Sequence, residues 1–289
     1  MLSIKSSDLQ ATISDLGAEL VRLQDGEGRD LLWNGDPAFW TGHAPLLFPI
    51  VGNANKDRVK VSGRSYPISR HGFARTSQFD RTAESADHAT WRLVSSDTTR
   101  LHYPYEFLLD VTYRIAGRAL SIRAEVTNID AGPMPMSFGF HPAFRWPLPY
   151  GQPREAHEIV FDQPEPSPVR RLDQGLLGPV RHTTPVQGTR LELDDRLFTD
   201  DALIFDHLAS RRVTYGAGTA PGIEVDFPGM PYLGVWSKPG AGFVCIEPWQ
   251  GFADPVGFDG ELSQKPGTLS VPSGATAVFA IDIRLTPGG

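Results

Sequence analysis

The chain has 289 residues, with 27 Lys and Arg against 34 Asp and Glu, for a formal charge of −7. Basic residues are in deficit and never run beyond pairs such as Arg170-Arg171, which argues against a reader of phosphate backbones. No stretch approaches the roughly 20 apolar residues that span a bilayer. The opening residues Met1 to Ser6 lack an apolar signal core, so a cytoplasmic setting is expected.

Taken in chain order, period-two alternation predicts strands at 20–24, 58–62, 91–94, 107–113 and 120–126. The pattern resumes at 159–161, 213–215, 223–227, 233–236 and 277–283. Helical periodicity is nearly absent, so helices should be few and short. The 29 Gly and 25 Pro exceed ordinary usage of about 7% and 5% and are spread as breaks between short elements. A mostly β fold, a large antiparallel sandwich, is expected, with residues 1–289 forming one domain. The Pro- and Gly-rich stretch from Trp146 to about Gln187 reads as a long surface insertion.

Three segments carry chemistry. In Ser137-Phe138-Gly139-Phe140-His141-Pro142, extended backbone puts His141 on the face of Ser137 and Gly139, where small neighbours leave room for a ligand. Pro142 holds the histidine in extended geometry. In Phe243 to Gln250, Glu247 shares a face with Phe243 and Cys245, is followed by Pro248 and Trp249, and reads as a carboxylate at the end of an apolar strand. An imidazole and a carboxylate so placed are a candidate general acid and base. Between Ser69 and Arg75 stands His71, beside Gly72 and flanked by Arg70 and Arg75, a loop suited to oxygen-rich ligands.

Other chemistries find no motif. There is no Gly-rich nucleotide loop, no HExxH, no G-x-S-x-G and no Cys-His pair with metal spacing, so neither a cofactor nor a metal is expected. The single cysteine, Cys245, forbids an internal disulfide.

At Phe48-Pro49-Ile50-Val51-Gly52, Arg70 to Arg75, Ser137 to Phe144, Leu197-Phe198 through Phe205, and Trp236 through Trp249, the sequence resembles the aldose 1-epimerase (galactose mutarotase) family, in its LacX-like branch. The resemblance implies a β-supersandwich, a catalytic His141, a catalytic Glu247 and a substrate-binding His71. It also implies a substrate-binding Asp201, with Asp200 as the neighbouring alternative. Relatives often carry an arginine where Asn53 stands, and Arg58 is expected to take over that contact. Arg70 and Arg75 would hold hydroxyls, and Trp249 and Phe73 would offer apolar faces to a pyranose.

The implied activity is isomerase chemistry on a hexose, without nicotinamide or metal. The ligand is then a small-molecule sugar, neutral or phosphorylated, acted on by a monomer or a homodimer with no nucleic-acid or membrane partner. Alternatives are a non-catalytic carbohydrate-binding protein and a hexose-6-phosphate mutarotase. A glycosidase would need a second placed carboxylate that no motif supplies.

Overall fold

A computed structural model describes residues 1–289. Twenty-four strands account for nearly all the regular structure, and the one α-helix is a single turn, Asp97–Arg100. No helix is long and apolar enough to cross a membrane.

Two large sheets carry the architecture, and every pairing within them is antiparallel. The nine-stranded sheet is centred on Phe107–Ala116, Ala119–Asn128 and Thr276–Leu285. These strands alternate buried and partly exposed residues, one face turned to the core and the other to water, as their period-two sequences require. The eight-stranded sheet contains Leu203–Phe205, Tyr232–Trp236, Phe243–Gln250 and Phe138–Phe140 in neighbouring order. Phe138 of this sheet lies flat on Phe279 of the other, with ring centroids 4.9 Å apart, and Phe161 meets Phe205 in the same interface. The sheets therefore form a sandwich around a shared core of 65 buried residues, which runs from Ile4 to Leu285.

All ten segments predicted as strands lie in strands or overlap them. The stretch after Trp146 departs from expectation. Val169–Asp173 and Leu176–His182 pair with each other and extend the eight-stranded sheet to its edge, so this stretch is sheet and not an inserted loop. Its pattern is weak because an edge pair is largely solvated, and Gly178, Pro179 and five charged or imidazole side chains break the alternation.

Candidate active site

Phe243–Gln250 differs from the strands of the other sheet in being buried on both faces along almost its whole length. Val244 and Ile246 point into the sandwich core, while Phe243, Cys245, Glu247 and Trp249 face outward. That outer face is roofed by aromatics rather than water. Trp33, Trp40 and Trp236 all pack on Phe243, with ring centroids 5.1 to 5.6 Å away. Glu247 thus sits in mid-strand, and not at a strand end as the Pro248 signal suggests. The strand continues through Pro248 to Gln250.

The neighbouring chain supplies the imidazole at a bend. Phe138–Phe140 and Ala143–Arg145 both pair with Phe243–Gln250, and His141 lies in the gap between them. Two glycines create the slot beside it: a Cβ on Gly139 would lie 2.6 Å from the Trp249 ring, and one on Gly234 would lie 2.4 Å from it. The indole therefore lies flush against the sheet and walls a cleft.

His141 Nε2 stands 3.2 Å from Glu247 Oε2, and both side chains are more than nine-tenths buried. Burial lowers the imidazole pKa to about 3, with a further push from the Arg70 charge. Burial likewise holds the Glu247 carboxyl well above its ordinary value, although Arg70 opposes this. The Trp249 N–H also pulls the carboxyl down, yet makes no hydrogen bond of normal geometry. Both shifts favour the uncharged forms, a neutral imidazole beside a protonated carboxyl. Transfer of a proton from Glu247 to His141 yields carboxylate and imidazolium without exchange with solvent.

His71 and Gly72 both adopt left-handed backbone, which brings Gly72 so close to the Phe48 carbonyl that no side chain would fit. The turn is clasped from both directions. His71 N–H donates to the Gly52 carbonyl at 2.8 Å, and Gly52 N–H donates to His71 Nδ1 at 3.0 Å. Burial holds this ring neutral. Arg70 Nε–H is aimed at His71 Nε2 from 3.2 Å, and both residues line the cleft.

Asp201 closes the ring of polar groups. It too is left-handed, with Oδ1 accepting from Ala202 N–H at 2.7 Å, and it lines the cleft with Arg70, His71, His141, Glu247 and Trp249. Asp200 is exposed and faces an outer groove instead. Six of the eight predicted site residues therefore converge.

The other two do not. Arg58 is exposed and donates to the Ser65 hydroxyl and carbonyl, in a separate groove with Lys56 and Phe258, so it replaces no contact at Asn53. Arg75 is not on the cleft wall, its buried Nε is without a partner, and its charge acts on His71 and His141. Phe73 is also turned away, packed on Phe48, Tyr103 and Phe107.

Trp40 escaped the sequence reading. Its ring stacks on His141 with centroids 4.9 Å apart and an interplanar angle of 26°, while Trp236 meets the same imidazole edge-on at 5.9 Å. These two indoles fix the plane of a ring whose buried Nδ1 has no hydrogen-bond partner. Trp40→Leu is expected to lower kcat for sugar turnover about tenfold while KM changes less than about twofold, and Trp40→Phe should restore most of it. Exchange kinetics on both variants check this; a change confined to KM would place Trp40 in sugar binding.

A double antiparallel sandwich with a buried His-Glu pair at the floor of a polar cleft belongs to the galactose mutarotase-like class of folds. The family profile described as aldose 1-epimerase matches residues 1–268. The chain belongs to the aldose 1-epimerase family. It is similar to Protein LacX of Lactococcus lactis subsp. lactis, 30% identical over 98% of this chain and 99% of that one. A galactose mutarotase related enzyme from Lactobacillus acidophilus superposes with a TM-score of 0.91 at 29% identity, covering 99% of this chain and 97% of its own. A galactose mutarotase-like protein from Lactobacillus casei gives the same TM-score at 31% identity, over 99% and 100% of the two chains.

Proposed function

We propose that this protein is an aldose 1-epimerase that interconverts the α and β anomers of a neutral hexose. The carrying observation is the 3.2 Å contact between His141 Nε2 and Glu247 Oε2 inside a cleft that also presents His71, Arg70 and Asp201. Anomer exchange needs a proton taken from the C1 hydroxyl and another given to the ring oxygen. The C1 to ring-oxygen bond then breaks, the aldehyde turns, and the ring recloses on its other face. Glu247 as carboxylate takes the first proton, His141 as imidazolium gives the second, and the roles reverse on closure. Trp249 offers its face to the pyranose, while His71, Arg70 and the Asp201 carboxylate hold hydroxyls.

Three arginines were candidates for a phosphate dianion, and only Arg70 lines the cleft. This favours a neutral hexose over its 6-phosphate. The same reading takes residues 1–289 as one domain, because the buried core draws on strands at both ends of the chain. Freshly dissolved α-D-glucose and α-D-galactose should equilibrate faster with the protein, followed by polarimetry or exchange NMR. A lack of acceleration for every aldose in a panel, with sugar binding intact, would favour the carbohydrate-binding alternative.

The pair also sets a pH dependence. Activity requires one proton on the pair: a second removes the base, and loss of the first removes the acid. Because burial lowers His141 to about 3, the second proton arrives only in strongly acid solution. Because Glu247 is raised, the first is kept beyond the ordinary carboxylate range. After subtraction of the spontaneous rate, kcat/KM should stay level from neutral pH down through 6.5, the ordinary imidazole value. A fall centred near 6.5 would show a free, solvated His141 as the acid.

A further inference from the structure

Cys245 takes no part in the acid-base chemistry, yet it lies beneath it. It is two residues before Glu247 on the outward face of one strand, fully buried, and His141 arrives over it from the neighbouring bend. One donor atom from each of His141, Cys245 and Glu247 lies within 4.8 Å of the others. His141 keeps a buried Nδ1 that no protein group satisfies.

We propose that His141, Cys245 and Glu247 form an inhibitory site for a thiophilic divalent cation, zinc or cadmium, entered through the sugar cleft. The inhibitory role rests on the epimerase reading, whereas the binding itself does not. One thiolate, one imidazole and one carboxylate leave a fourth tetrahedral position open towards the cleft, a donor set that suits zinc. Magnesium and calcium prefer all-oxygen surroundings and are not expected to compete. Donors around zinc at about 2.0 to 2.3 Å stand roughly 3.5 Å apart, so the three side chains need close by little more than an ångström.

Charge balance makes the site compatible with burial. One thiolate and one carboxylate balance one divalent ion beside a neutral imidazole, so the occupied cluster buries no uncompensated charge. The thiol proton and any proton on the other two ligands leave to solvent. Arg70 beside the cleft opposes any cation, while Asp201 favours it. Occupation would remove base and acid together and exclude the sugar, since Glu247 and His141 line the only face of the cluster that meets the cleft.

The test is cadmium titrated into the full chain, followed by the thiolate-to-cadmium charge-transfer band in the ultraviolet. Wild type should show a band saturating at one ion per chain and receding as galactose or glucose is added. Cys245→Ser should lack the band, keep anomer exchange, and need at least about tenfold more zinc for half-inhibition. Cys245→Ala serves the same purpose should the serine disturb folding. A wild-type protein without the band, or a folded cysteine variant equally sensitive to zinc, overturns the proposal. A band without any anomer exchange in metal-free protein would instead leave the site standing and reject the epimerase reading.

Discussion

Glu247→Gln is expected to reduce kcat/KM for anomer exchange by about 10²- to 10⁴-fold, the range ascribed to a positioned general base. The amide has nearly the carboxylate's shape and sits in the same buried place, so packing against Gly234 and the bend at His141 should persist. What disappears is any acceptor for the C1 hydroxyl proton, together with the proton that the pair shares. Sugar affinity should survive, because His71, Arg70 and Asp201 are untouched. Exchange NMR with a parallel binding measurement checks both halves. A loss of binding that matches the loss of rate would make Glu247 a ligand anchor and not a base.

The second large effect concerns stability. Lys265 is entirely buried, with Nζ 2.9 Å from Asp254 Oδ1 and no other partner for the ammonium. Asp254 in turn ties three loops together. Its Oδ2 accepts from Asn55 N–H at 2.8 Å, its N–H donates to the Asn53 carbonyl at 2.9 Å, and its carbonyl accepts from Leu177 N–H at 2.8 Å. Asp254→Ala leaves the ammonium without its counter-charge, and such truncations cost about 3 to 5 kcal/mol. Replacing both partners, as in Asp254→Leu with Lys265→Met, should recover a large part of that, because two desolvated charges are removed together. Urea denaturation of the single and double variants measures the difference. A double variant no more stable than the single one would assign the loss to the Asp254 loop contacts alone.

Legibility in the sequence followed burial. Phe107–Ala116 and Ala119–Asn128 are buried on one face, so their alternation is written plainly and their extents are nearly right. Phe243–Gln250 is buried on both faces, and Pro248 suggested a stop. Ile246 N–H bonds to the Pro142 carbonyl, so the missing donor of Pro248, two residues on, points to the same side, opposite the bend at His141. A proline costs that strand nothing. The residue pattern brought His141, Glu247 and His71 forward, and the structure gathers them around one cleft with Asp201, which the motif resemblance added. The resemblance could not separate Arg58 from the cleft, since side-chain direction on an exposed hairpin is decided by a local partner, Ser65. Trp40 was silent because an aromatic in a loop has no period, and only tertiary packing sets it on His141.

The seating of Glu247 in mid-strand has a dynamic consequence. Its backbone is laddered to Tyr232–Trp236 on one side and flanked by both strand pieces around His141 on the other. Glu247 and His141, the proposed base and acid, are therefore spaced by sheet register. A fluctuation that separated them would have to unzip the centre of the sandwich, which is the last part of such a protein to exchange its amide hydrogens. Catalytic competence and global folding should then be lost together on heating or in denaturant, with no inactive but folded state between them.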